Sequence, residues 1–299
     1  MSALPPSVTE KPQSRVDHAA IPATFDALAA RPDEAIDVAH GAALIARDAH
    51  AKLDLPALLA RFDALAAPLA QLPGGLAGLC PAEQAAKLAD HLYGVIGFRG
   101  NEADYYDPRN SLLPDVLDRK LGIPLTLAIV YVEVARRCGV PACGVSFPAH
   151  FLVRIDVKPG DVGEPVFVDP FFGGRVLNRE ALERLLRRGT TPGQKLEEEH
   201  LAPATPRAIL VRMLINLKWI YMTRGDYARA HLALDRIVSL TPDSAAALRE
   251  RGMLAARLGA VEAARADLSR LLEIQPDTSD AKAIRARIEE LSAAKRVLN

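Results

Sequence analysis

Apolar residues begin to recur at three- and four-residue spacings near Asp37. Ala43, Leu44 and Ala46 are followed by Leu53, Leu55, Leu58, Leu59, Phe62 and Leu65, the period of helices with one face against a core. Leu72-Pro73-Gly74-Gly75 breaks the pattern. A further helix is predicted from Pro81 to about Phe98 on Leu88, Leu92, Val95 and Ile96. A polar, tyrosine-bearing loop then runs from Asn101 to Asn110. Ser111 is the expected N-cap of a short helix through Lys120, with Pro114 and Asp115 in its first turn and Gly122 as its stop. Pro124 can open the next helix, which runs to about Cys138 and ends at Gly139. Leu125, Leu127, Ala128, Ile129, Val130, Val132, Val134 and Ala135 leave that helix no wet face, so it is predicted to lie at the centre of a core.

Beyond it the pattern turns β-like, in Ala142 to Phe147, His150 to Val157 and Pro165 to Asp169. The last two runs flank the turn sequence Lys158-Pro159-Gly160-Asp161. A hairpin centred on that turn pairs residues whose numbers sum to about 319. Phe151, Val153 and Ile155 then share an apolar face with Val166 and Val168, and His150 stands opposite Asp169. Glu197 to Pro206 reads as a linker. After it, Gly225, Ala230, Leu234, Pro242 and Asp243 recur as Gly259, Ala264, Leu268, Pro276 and Asp277, a period of 34 residues. That is the tetratricopeptide period: small residues let paired helices pack closely, and Pro ends each pair. Leu214, Leu217 and Tyr221 fill the first helix, whereas Arg251 and Ala255 stand where larger apolar groups are common.

The expected plan is α+β. Residues 1–35, rich in Pro, Ala and charge, form a mobile tail; 36–200 form a helical region plus a core with a small antiparallel sheet; 205–299 form an all-α array. Its repeats fall at about 210–243 and 244–277, with a capping helix from about Ser279.

Composition narrows the partners. Thirty-seven basic residues balance thirty-seven acidic ones, which argues against nucleic acid as the partner. The most apolar stretch, Leu121 to Ala135, holds Glu133 and is too short to span a bilayer, and the N-terminus lacks a leader pattern. Three cysteines, Cys80, Cys138 and Cys143, are too few for a disulfide framework and have no metal-ligand spacing, so a reducing, cytoplasmic setting is expected with no cofactor or metal.

Three elements converge on possible chemistry: the helix start at Pro124, His150, and Asp169. A helix N-terminus beside a His oriented by a carboxylate is a place where a cysteine thiolate is activated. The segment from Asn110-Ser111 through GIPLTLAIVYVEVARRCGVP, then PAHFLVRI and VFVDPFFGG, resembles the transglutaminase-like superfamily. Within it, the chain is similar to the bacterial SirB-type branch, which couples such a core to C-terminal tetratricopeptide repeats. The resemblance covers roughly 37–290 and implies a papain-like α+β core with His150 and Asp169 as catalytic His and Asp.

The sequence departs from that pattern at one place. Aligned on Gly139-Val140-Pro141, the resemblance puts Pro124 at or next to the position of the nucleophilic cysteine, and proline has no nucleophile. Thr126 is near but has no precedent as a nucleophile there, so the resemblance implies a remnant dyad. Cys80, just before Pro81, is the one alternative thiol at a helix start; Cys138 and Cys143 read as core. His150 with Asp169 equally reads as a pair pinning two strands. Asn110, Arg154 and Tyr221 are candidate binding residues, with Arg119, Arg175 and Tyr105-Tyr106-Asp107 as further groove-lining candidates. Gly173-Gly174 reads as a turn rather than a phosphate loop. Two functions follow. The first is a protein-binding or regulatory protein that takes a protein or peptide in the repeat groove; the second is a cysteine-type peptidase or amidase with a displaced nucleophile. A core that only scaffolds the repeats is a third.

Overall fold

The computed structural model describes residues 22–189 and 193–298. Its centre is helix α6, Pro124–Arg137, with only Val132, Arg136 and Arg137 not buried. Pro at the first helical position sacrifices no intrahelical bond, and the helix ends at Cys138 before Gly139, as the pattern predicts. On one side lies α3, Leu55–Ala70, and on the other a four-stranded antiparallel sheet.

The sheet comprises β3 (Ala142–Val145), β4 (Leu152–Ile155), β5 (Val166–Asp169) and β6 (Arg175–Leu177), in spatial order β3-β4-β5-β6. Val153 pairs with Val168 and Ile155 with Val166, a register two residues from the expected one. A shift of two keeps every side chain on its side, so Phe151, Val153, Ile155 and Val168 still share the core with α6. The expected cross-strand pairing of His150 with Asp169 does not occur. Ala149 takes φ +55° and the His150 N–H bonds the Phe147 carbonyl at 3.0 Å, a turn that delays β4 until Leu152. The hairpin connection is also longer than the four-residue turn expected, running from Asp156 to Pro165. Val145, Leu152, Phe167 and Leu177 face the other way and are covered by α7, Arg179–Gly189, through Leu182 and Leu186.

Three other expectations change. Residues 1–21 of the expected tail lie outside the described residues, but 22–35 carry α1, Phe25–Ala29, whose Phe25 and Leu28 are buried; two large apolar groups three apart override a Pro- and Ala-rich context. Ser111 is not an N-cap. It ends a 3-10 turn, Pro108–Ser111, capped by Asp107, and α5 (Leu113–Arg119) starts only after Leu112. The expected linker is partly structured: Leu201 is buried under the sheet, and the Ala204 N–H donates to the Gly144 carbonyl at 2.8 Å. The helix from Pro81 is α4, Pro81–Ala89, continued by a π-helical turn, Asp90–Val95. A short parallel pair, β1 (Arg99–Gly100) with β2 (Leu121–Gly122), leads into α6.

The repeats form α8 (Pro206–Thr223), α9 (Tyr227–Leu240), α10 (Ala245–Arg257) and α11 (Val261–Ile274), capped by α12 (Ala281–Leu298). Arg251, odd for its position in sequence, is held by Asp267 at 2.6 Å and Asp235 at 2.6 Å. The array is not a separate bead. Residues from Phe25 to Leu291 belong to one apolar cluster. Gly41 of α2 (Val38–Ala46) lets α8 approach so closely that a Cβ there would meet Leu210 Cδ1 at 2.5 Å. Arg207 of α8 donates to the carbonyls of Ala29 (3.1 Å), Arg31 (2.7 Å) and Leu240 (2.8 Å).

Candidate functional site

The turn that takes His150 out of β4 also aims its ring at Asp169. His150 Nε2 and Asp169 Oδ1 lie 3.0 Å apart, with the His side chain 11% exposed and the Asp fully buried. The carboxylate is over-determined. Its Oδ1 also accepts the Phe171 N–H at 3.1 Å and the Phe172 N–H at 3.4 Å, and Oδ2 accepts Arg175 Nη2 at 3.1 Å. Burial pushes the Asp169 carboxyl up, but the hydrogen bond and charge of His150, the Arg175 guanidinium and the Phe171 amide outweigh it and hold the group below the usual carboxylate range.

The dyad is tied to the start of α6 through backbone. The Phe171 carbonyl accepts the Gly100 N–H at 3.2 Å, Gly100 pairs with Gly122, and Gly122 precedes Pro124 by two residues. Gly100 is required there, since a Cβ would sit 2.6 Å from the Phe171 ring. At the helix start Pro124 is buried and offers neither thiol nor hydroxyl. The Thr126 hydroxyl is committed, accepting the Ile123 N–H at 3.2 Å and donating to the Asn110 carbonyl at 2.6 Å.

The cysteines lie elsewhere. Ala77 packs beside Gly139, 3.4 Å from a Cβ built there, and its carbonyl accepts Lys158 Nζ from the hairpin connection. That is the C-terminal end of α6, about 20 Å from Pro124 at 1.5 Å per residue over 14 residues. Three residues of chain span at most about 10 Å, so exposed Cys80 stays at the wrong end of the helix. Cys138 is buried against the Ala66 carbonyl, and burial raises its thiol. Cys143 faces Asp156; burial and that carboxylate push its thiol up to about 11.

The candidate binding residues are not brought together. Asn110 is fully buried, taking hydrogen bonds from Asn101 (3.0 Å) and Arg119 (3.3 Å) and donating to the Asp104 carbonyl (2.7 Å). It shapes the loop rather than lining a groove. Half-buried Arg154 pairs with Asp156 at 2.6 Å and bonds the Leu201 carbonyl. Tyr221 is 7% exposed, in the core between α8 and its neighbours. Arg175 does reach the dyad, and Tyr105 and Tyr106 stand exposed beside other aromatic rings: Tyr105 packs edge-on to Phe171 at 5.8 Å and Tyr106 against Trp219 at 4.7 Å. Sequence reasoning missed Arg212, whose Nη2 donates to the His150 carbonyl at 2.6 Å, and Trp219. Both sit on α8 three or four residues from Ile215, a polar-edged stripe opposite the buried face and therefore visible in the helical period. It also missed a second His–Asp pair, His50 with Asp115 at 2.7 Å, which joins the turn after α2 to α5. Among the described residues there is no group of three or more His, Cys, Asp or Glu that could hold a metal, and no helix long and apolar enough to cross a membrane.

Residues 45–215 match the family model of the transglutaminase-like superfamily, and 217–289 match a tetratricopeptide repeat. A UPF0162 protein of Xylella fastidiosa is 38% identical over 275 residues, covering 90% of this chain and 94% of the relative. A UPF0162 protein of Pseudomonas aeruginosa is 34% identical over 196 residues, 66% of this chain and 70% of the relative. Mouse F-box only protein 21 is 30% identical over 175 residues, 56% of this chain but 27% of that protein. No solved structure matches.

Proposed function

The chain belongs to the transglutaminase-like superfamily, in its SirB-type branch with tetratricopeptide repeats, and from that premise we propose that it binds proteins rather than hydrolysing them. The observation that carries this reading is the buried Pro124 at the start of α6, tied through Gly122, Gly100 and Phe171 to a His150–Asp169 pair that has no thiol partner. In that arrangement the dyad's chemical role is lost, while its structural role persists: it closes the turn before β4 onto the end of β5. Tetratricopeptide helices meanwhile stack into a concave surface suited to protein partners. The cysteine-hydrolase reading would need Cys80 at the His150 end of α6. Its place at the other end weighs against that.

The test is partner isolation with the immobilised full chain, followed by identification and repurified binding. Met222→Glu with Met253→Glu, both exposed on the first helix of a repeat, should abolish retention of the repurified partner. His150→Ala should leave retention within about twofold, since its side chain is 11% exposed and offers a partner little surface. Retention lost only in His150→Ala, or a peptide or amide hydrolysed by the wild type and not by His150→Ala, would contradict the reading.

A further inference from the structure

The aromatic residues that remain exposed among the described residues are Tyr105 (40%), Tyr106 (55%), Phe172 (43%) and Trp219 (47%), and they lie in one row. Trp219 meets Tyr106 at 4.7 Å and Tyr106 meets Tyr105 at 5.2 Å. Tyr105 meets Phe171 at 5.8 Å, Phe171 meets Phe172 at 5.1 Å, and Phe172 stacks on His150 at 6.4 Å. The row bridges the transglutaminase-like part and α8. On α8 it is continued by Arg212, Ile215, Trp219 and Met222, whose three- and four-residue spacing makes one stripe; Ile215 and Met222 are also exposed. Exposed apolar side chains scattered singly need no explanation, but a contiguous row across a seam marks a surface built to be covered.

Charge says by what. Arg212 gives its hydrogen bonds to neutral acceptors, Ser146 Oγ at 2.6 Å and the carbonyls of Phe147 (3.4 Å) and His150 (2.6 Å). Arg224 donates to the Tyr106 carbonyl at 3.1 Å. Neither has a carboxylate partner among the described residues, although one sits at each end of the row. Three other cations near it are neutralised: Arg175 by Asp169, Arg109 by Asp107, Lys218 by Glu250. A guanidinium without a counter-ion, half-buried at Arg212 and exposed at Arg224, gains from an incoming carboxylate, and the half-buried one gains more. Two such cations are too few for a nucleic-acid backbone on a chain of zero formal net charge.

We propose that this seam is a docking cleft for an extended acidic peptide segment bearing large apolar side chains, with Trp219, Tyr106 and Phe172 as apolar anchors and Arg212 and Arg224 as carboxylate contacts. The inference rests on the protein-binding reading and gives it a place and a partner chemistry.

The chain's single tryptophan is Trp219, so its emission reports on the cleft directly. The full chain would be titrated with a short synthetic peptide rich in Glu and Phe, with the same peptide carrying Lys for Glu, and with an oligouridylate. The Glu peptide should shift and saturate Trp219 emission, weaken as salt rises, and lose about tenfold in affinity in Arg224→Gln and more in Trp219→Ala, the latter read by polarisation of labelled peptide. Arg224 is exposed, so its variant separates charge recognition from folding; Arg212→Gln, which also loses three internal bonds, would be read only beside Arg212→Lys and a melting curve. Equal binding of the Lys peptide, a response to oligouridylate alone, or Glu-peptide binding indifferent to Arg224 and Trp219 would overturn the inference. If partner retention through Met222 and Met253 holds while Trp219 stays silent to its bound partner, the cleft proposal falls and the binding reading stands. If neither peptide nor partner binds, both fall.

Discussion

At the scale of the residue, Asp169 is the group on which the site depends. It is fully buried and carries four hydrogen bonds, from His150, two backbone amides and Arg175, so its ionised form belongs to the folded state. Its folded pKa is depressed, and a depressed carboxyl contributes stability that is present above the unfolded value of about 3.9 and is lost as pH falls through the folded value. Asp169→Asn should therefore cost about 3 kcal/mol near pH 7. The gap between variant and wild type in urea denaturation should narrow below about pH 4, because acid removes the same charge from the wild type. A gap that stays constant down to pH 3 would show that burial alone sets the cost. That His150 would meet Asp169 was legible in the sequence, but for a wrong reason: strand register suggested opposition, whereas a left-handed Ala149 and a longer connection supply the contact. The misplaced binding residues share one cause. Polarity marked Asn110, Arg154 and Tyr221 as available, but each had been used internally to tie loop, sheet or helix in place.

Elements were read best where a single face decided them. A helix apolar all round can only be central, and α6 is. Repeat spacing fixed the four helices α8–α11: Ala230 and Ala264 are fully buried where paired helices meet, and Gly225 and Gly259 take the positive φ of the turn between them. What escaped the sequence were pieces whose hydrogen bonds are set by tertiary neighbours. The turn at Pro108–Ser111, the π-helical turn after Ala89, and β6 are too short to show a period. Close approach of elements is also invisible until glycines are placed. Gly41→Ala should destabilise the chain by about 1–3 kcal/mol, seen as a lower melting temperature, because Leu210 is fully buried and has little room to yield. Gly100→Ala should press on the Phe171 ring and shift the His150 ring resonances in an NMR spectrum. Unchanged His150 shifts would mean that the loop absorbs the displacement before it reaches the dyad.

For the whole molecule, the expected division at residue 205 is a division of sequence pattern, not of core. One apolar cluster runs through both parts, and Arg207 fastens α8 to the carbonyls that end α1. Fragments 22–204 and 205–299 should each fail to show a cooperative unfolding transition alone, and should regain one on mixing. Two independent transitions would instead make the repeats an autonomous array. At the same scale the chemistry rests on an absence: α6 begins at Pro124 without a thiol, and no cysteine is coupled to His150. It is tested most directly by the alkylation rate of each cysteine against pH, followed by mass spectrometry, in the wild type and His150→Ala. Three rates indifferent to residue 150 are expected, with Cys143 still accelerating toward its raised value of about 11. A Cys80 that reacts as a thiolate near neutral pH, and loses that reactivity in His150→Ala, would contradict it and restore the cysteine hydrolase.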